Sequence, residues 1–264
     1  MKPILVAALI LLNLPASGYA SVRVVSDGEN VRGVQFLDAH GALTKQVKFD
    51  GIRVRAIVSG DSQSCVVWEE SRNPDSSLRN VKTTWFSSEG QPRCKLETVF
   101  QPWVLSATAD TLVMVKPGRE APDDSGPQYG ADLEVIDEHC QTLFSTSSAY
   151  SSWKIVLISP TGKWLALQNQ ESTRFEDKTH RWRDSILSIN LEARGSFSTT
   201  WYSDENLNPF SITDKGVLLA KKFKIAEKGP IVNGHKTLIR HFSIYDWPAR
   251  ASGFTDSGTE LTEK

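Results

Sequence analysis

The side chains best equipped for chemistry fall in a few short stretches. Ser59-Gly60-Asp61-Ser62 follows an apolar run, and Asp177-Lys178-Thr179-His180 stands much further along the chain. A serine attacks a carbonyl when a neutral histidine takes its proton, and an aspartate orients that histidine and stabilises the imidazolium. The two stretches supply all three residue types. His180-Arg181-Trp182-Arg183, with Arg174 and Phe175 nearby, suits another task. Guanidinium and indole groups in a loop make a protein hot spot, or a ring-stacking contact with a sugar or peptide. Beside it stands the plainer role of a Trp folded over a sheet edge with its arginines in water. Asp123-Asp124 could offer oxygens to calcium, but such a site needs six or more in an ordered D-x-[DN]-x-[DN]-G loop, which is absent. A solvated acidic loop is the reading. With no phosphate-cradling Gly-rich loop and no cluster of metal ligands, neither a cofactor nor a metal is expected.

These residues sit in a chain of 264, of which 39% are hydrophobic and 23% charged. Thirty basic and 31 acidic side chains nearly cancel, so no field of one sign draws in nucleic acid or an anionic membrane. Eight Trp, five Tyr and 11 Phe give the chain ample surface to bury, which argues against disorder.

Lys2, the apolar run from Ile4 to Leu14, Pro15 and the small residues Gly18 and Ala20 form a secretory signal peptide over 1–20. The run is shorter than the ~20 apolar residues that span a bilayer, so cleavage is expected and no membrane insertion after it. No Asn stands in an N-x-[ST] sequon, which fits a bacterial periplasm. Three cysteines, Cys65, Cys94 and Cys140, would then meet an oxidising compartment. An odd count allows at most one internal bridge, and the spacing does not choose the pair.

Helical periodicity is almost absent, and short β-type runs alternate with tight turns. One turn family comprises Asp38–Gly41, Ser87–Gly90, Asp137–Cys140, Leu191–Gly195 and Asp246–Ala249. A second lies between its members at Gly60–Ser62, Thr108–Asp110, Ser159–Gly162 and Thr213–Gly216. Both recur about every 50 residues, so each unit reads as four antiparallel strands, the blade of a β-propeller. About five blades fit within 21–254, followed by a polar tail over 255–264. The second family has one member fewer, so the first unit lacks a strand. Ser21–Val25 is expected to supply it by pairing with the last unit. The alternative architecture is a β-sandwich.

Ser159-Pro160-Thr161-Gly162-Lys163-Trp164-Leu165-Ala166 resembles the S-P-D-G-K-x-[ILV]-A turn of WD40-like propellers of the TolB type, with Thr161 in place of the acidic residue. Thr213–Ala220 is a looser copy. The resemblance implies a propeller fold and transfers no site. Gly60-Asp61-Ser62 is similar to the nucleophile motif of SGNH-type hydrolases, and Asp177 to His180 to their D-x-x-H. That family needs a parallel sheet with helices, and its G-x-N-D element is missing here. Gly-Asp-Ser is also a common turn tripeptide.

Within each unit the second connection reads as long and polar, over 69–80, 116–130, 168–184 and 223–236. Strand order sends all four to one face, and loops of this length carry function disproportionately. Tolerated surface insertion is the competing explanation. The contact residues expected there are Arg72, Asp75, Arg119, Arg174, His180, Arg181, Trp182, Arg183 and His235. The innermost strands carry no Asp or Glu, which leaves a channel glycosidase without its paired acids. The expectation is therefore an exported, non-enzymatic scaffold that binds another envelope or secreted protein, or a carbohydrate or peptide. The alternatives are a secreted serine esterase or glycosidase, and an envelope inhibitor or immunity-type protein.

Overall fold

The computed structural model describes residues 19–74, 78–117, 129–147, 155–174, 180–202, 207–223, 227–232, 235–247 and 254–263. These residues are all-β, with no helix, and form five small antiparallel sheets in chain order. The first sheet holds β1 (Ser21–Asp27), β2 (Asn30–Leu37) and β3 (Leu43–Lys48). The second holds β4 (Val54–Val58), β5 (Cys65–Arg72), β6 (Leu78–Phe86) and β7 (Pro92–Thr98). The third holds β8 (Gln101–Leu105), β9 (Thr111–Pro117), β10 (Tyr129–Asp137) and β11 (Thr142–Ser147). The fourth holds β12 (Ile155–Ile158), β13 (Trp164–Arg174), β14 (His180–Asn190) and β15 (Ser196–Tyr202). The fifth holds β16 (Leu207–Ile212), β17 (Leu218–Phe223), β18 (Glu227–Val232), β19 (His235–Trp247) and β20 (Phe254–Glu263).

The first four sheets are meanders, in the fifth β17 and β18 both pair with β19, and each sheet leans on the next through an apolar layer. Val22, Val34 and Phe36 of the first sheet meet Val54, Cys65 and Val67 of the second. Val66 and Trp85 of the second meet Leu105, Leu112 and Met114 of the third. Val113, Val115, Leu133 and Val135 of the third meet Leu165, Leu167 and Ile189 of the fourth. Ala166 and Ile186 of the fourth meet Ile212 and Leu218 of the fifth. A middle strand is therefore buried on both faces, which is why Cys65-Val66-Val67-Trp68 is apolar without alternation. Each fully buried large apolar side chain contributes roughly 1.5–3 kcal/mol, and the four layers distribute that along the chain. Five small sheets stacked in chain order make a propeller-like arrangement and not the two facing sheets of a sandwich.

Three expectations about particular segments are corrected. β1 does not pair with the last unit. It pairs with β2 from Ser21↔Leu37 to Asp27↔Asn30 and is the second strand of its sheet, leaving the innermost place empty among the described residues. Residues 255–263 are not a tail, because β20 pairs with β19 from Thr237↔Glu263 to Tyr245↔Phe254. Finally, much of the second connections is strand. β13 and β14 stay paired out to Arg174↔His180, and β18 continues the line of β17 along β19 to Val232↔His235.

Candidate functional site

The repeated turns establish which ends of the strands lie together. In the first-to-second turn of each complete sheet, a Ser or Thr caps its own hairpin. Ser59, Ser106, Ser159 and Thr213 accept at the side-chain oxygen from the backbone N–H of Ser64, Thr111, Trp164 and Val217 at 3.0, 3.1, 3.1 and 3.1 Å. Three residues after each cap the backbone turns left-handed, at Ser62, Ala109, Gly162 and Gly216. These turns are also bonded to one another. Val22 N–H donates to Ser62 O at 2.8 Å, Asp61 N–H to Ala107 O at 3.1 Å, and Thr108 N–H to Pro160 O at 3.1 Å. Thr161 donates its N–H and hydroxyl to Asp214 Oδ1 at 2.9 and 2.6 Å. Those two bonds hold the Asp214 carboxyl below its ordinary range, the hydroxyl having the larger effect. The belt fixes one end of every sheet as a turn face.

The second-to-third hairpins must then leave from the opposite end. On that hairpin face β13–β14 and β17/β18–β19 project as two-stranded arms, whereas the arm of the second sheet is shorter, its β5–β6 pairing ending at Arg72↔Leu78. Arg174, His180, Arg181, Trp182 and Arg183 sit on strands of the β13–β14 arm. Arg174 pairs with His180, Thr173 with Arg181, Ser172 with Trp182 and Glu171 with Arg183. His235 starts β19, opposite Val232. The structure thus brings His180 to Arg183 and Arg174 together on one arm and puts His235 at the tip of another. Asp75, Arg119 and the Asp123-Asp124 pair lie outside the described residues, as do Asp177, Phe175 and residues 1–18 of the expected signal peptide.

Arg72 closes β5 at the same face and belongs to a charge cluster. Its Nη2 stands 3.3 Å from Glu70 Oε2, and Arg55 Nε from β4 lies 3.7 Å from Glu70 Oε1. The Glu70 side chain is 1% exposed, against 23% for Arg72 and 56% for Arg55. Trp68, opposite Arg55 in the β4–β5 ladder, buries an indole N–H with no hydrogen-bond partner. The buried Glu70 carboxylate is thus held by two guanidiniums, and the Trp68 N–H beside them is an unmet donor that suits an acceptor-bearing group. Sequence reasoning found Arg72 and passed over Arg55. The signal was two arginines, Arg53 and Arg55, in a strand read as innermost.

The serine motif resolves into turn chemistry. Ser59 donates its hydroxyl to Asp61 Oδ1 at 2.5 Å and accepts from the Ser64 N–H. Ser62 adopts φ 60°, and its carbonyl takes the Val22 N–H. Ser62 is on the turn face, while His180 is ten residues along the β13–β14 ladder from the equivalent turn at Trp164, or about 33 Å at strand rise. Serine and histidine therefore do not meet. β4, β8, β12 and β16 are the strands through which successive sheets touch, and they contain no Asp or Glu. Among the described residues no three His, Cys, Asp or Glu side chains converge on a metal-sized point.

The outer seams between sheets differ from one another. Between the first two, Lys45 Nζ donates to Gly90 O at 2.7 Å. Between the second and third, Cys94 is disulfide-bonded to Cys140, and Arg93 is ion-paired with Glu138. The third cysteine, Cys65, is buried, and that burial pushes its thiol up to about 12. Between the third and fourth the seam opens into a recess of about 470 Å³, lined by Thr142, Phe144, Leu187, Ile189, Leu191 and Arg194.

No protein-family model matches this chain, and no curated protein is significantly similar to it. Among solved structures, a eukaryotic initiation factor is similar at 11% identity and a TM-score of 0.45, over 93% of this chain and 51% of its own, so this chain spans about half that length. The tricorn protease is similar at 10% identity and a TM-score of 0.44, over 93% of this chain and 30% of its own. The Dos1 propeller is similar at 8% identity and a TM-score of 0.42, over 82% of this chain and 51% of its own. None of these likenesses carries a function or a site across.

Proposed function

We propose that this chain is an exported binding scaffold: five sheets arranged as the blades of a closed propeller, which hold the hairpin face rigid for another envelope or secreted protein, or for a carbohydrate or peptide, with no catalytic step. One observation carries the reading. The first-to-second turns are bonded to one another at the belt face, so the hairpin arms project together from the other. A surface built from several arms on a stiff base presents varied side chains at fixed spacing, and that lowers the ordering cost of binding. The apolar run after Lys2 supports export, and a disulfide between Cys94 and Cys140 suits an oxidising compartment. Arg55, Glu70 and Arg72, with the unmet Trp68 N–H, add a polar contact at the foot of the same face.

The test is to trim one arm. Replacing residues 171–183 by Asn-Gly leaves the paired residues Gln170 and Asp184 joined by a two-residue hairpin turn. The partner captured by the wild type from an envelope extract is then titrated against both purified proteins. The trimmed protein is expected to melt with the wild type and to bind that partner at least tenfold more weakly. Unchanged affinity would overturn the proposal.

A further inference from the structure

Among the described residues the first sheet lacks the innermost strand that the other four have. Across β1–β2, Val22 faces Phe36 as Val66 faces Trp85 across β5–β6, and Ser21 faces Leu37 as Cys65 faces Phe86. Ser21–Val25 is therefore the counterpart of Cys65–Glu69. In the second sheet that stretch is paired on its inner side by β4, from Val58↔Cys65 to Val54↔Glu69. β8, β12 and β16 do the same in their sheets. β1 has no such neighbour among the described residues.

The backbone at this edge is poised to pair. The Val22 N–H points away from β2 and already donates to a carbonyl outside the sheet, Ser62 O at 2.8 Å. Antiparallel alternation then sends the N–H and C=O of Val24 to the same side. β1 carries no Pro and a single mid-strand charge, Arg23, and Val24, Ala56 and Val58 are only partly covered. The outer edges of β3, β7, β11, β15 and β20 are ordinary ends shared by every sheet. The inner edge of β1 is different because the repeat has a strand in that position.

We propose that this edge receives an extended segment of a partner protein as the innermost strand of the first sheet, paired antiparallel through the outward N–H and C=O of Val24, with the Val22 N–H left on Ser62 O. Its side chains opposite Val22 and Val24 are apolar, because they would cover Val24, Ala56 and Val58 as Ile57 covers its own layer. No described strand of this chain is spare for the position, since β20 is committed along β19. Main-chain bonds supply affinity in this mode, and alternate side chains supply selection. It is independent of the hairpin face.

The probe is a fluorescein-labelled synthetic peptide, IRVVAIVS, which copies residues 52–59, the inner strand of the second sheet, with Arg55→Val so that the side chains set opposite Val22 and Val24 are both apolar. Anisotropy titrations compare the wild type with Val24→Pro, which removes the outward N–H, and Val24→Ala, which keeps it. Thermal melts confirm that both variants fold. The probe is expected to bind the wild type and Val24→Ala within a few-fold of each other, to bind Val24→Pro at least tenfold more weakly, and to slow exchange of the Val24 amide. Four results would each overturn the proposal: no binding of the probe, equal binding by Val24→Pro, a Val24 amide protected before the probe is added, or a wild-type dimer that Val24→Pro makes monomeric.

Discussion

The two faces of the molecule are built by opposite rules. On the turn face the same device recurs in four sheets: a Ser or Thr cap, a left-handed residue three positions on, and a bond to the neighbouring turn. On the hairpin face the sheets diverge, from the short arm ending at Arg72 to the long arm that carries His180 to Arg183. Repetition marks the side that holds the sheets together, and divergence marks the side proposed for recognition. Stability and binding should therefore separate by face, and substitutions can expose a failure of that separation.

The largest effect is expected at the outer seam of the turn face. Cys94 and Cys140 are 46 residues apart, and closing a loop of that size stabilises the folded chain by about 4 kcal/mol. Cys94→Ser with Cys140→Ser should lower the urea midpoint accordingly, and adding reductant to the double variant should change nothing. Next comes Gly162, at φ +74°, where an added Cβ would lie 2.6 Å from Thr111 Cβ of the neighbouring sheet. Gly162→Ala is expected to cost about 3 kcal/mol by chemical denaturation, from the left-handed backbone and the clash together. Gly28, at φ +62°, has open space around it, so Gly28→Ala should cost only about 1 kcal/mol. Equal costs at the two glycines would mean that the sheets are not in contact at the belt.

A smaller effect is expected at Asp214. Its folded carboxyl is held below the ordinary range by Thr161, so the belt bond stabilises above the unfolded pKa and is lost as pH falls through the folded one. Between about pH 5 and pH 3 the wild type should lose more melting temperature than Asp214→Asn, by about 1–2 °C at this exposed site. The smallest stability effect belongs to the hairpin face. His180→Ala, Trp182→Ala and Arg183→Ala should each leave the melt within about 0.5 kcal/mol of the wild type while weakening the partner. A large loss of stability there would erase the distinction between the faces.

The turn face was readable in the sequence because its chemistry is local. Gly41, Gly90 and Cys140 lie at the marks of one family, and each has φ > 0. Asp38 and Asp137 brace those turns with side-chain bonds to backbone N–H groups two and four residues on. The hairpin arms were not readable, because their sequences carry no apolar alternation. Gln168–Arg174 is polar throughout and His180–Asp184 is polar but for Trp182, so they read as loop. The same blindness hid β20, and β18 was masked further by its Gly-Pro pair. The disulfide was half-visible: Cys140 occupies a turn mark, but only the register shows that Cys94 of β7 lies beside the next sheet's turn. The place of β1 is not legible because its sequence does not say which neighbour it pairs with; its ladder with β2 does.

The belt itself is open to direct measurement by amide hydrogen exchange resolved residue by residue. The N–H groups of Val22, Asp61, Thr108 and Thr161 each cross from one sheet to the next. They should exchange as slowly as ladder amides within the sheets. Exchange at the rate of an open surface turn, in all four, would mean that the sheets do not share a turn face and that the hairpin arms have no common base.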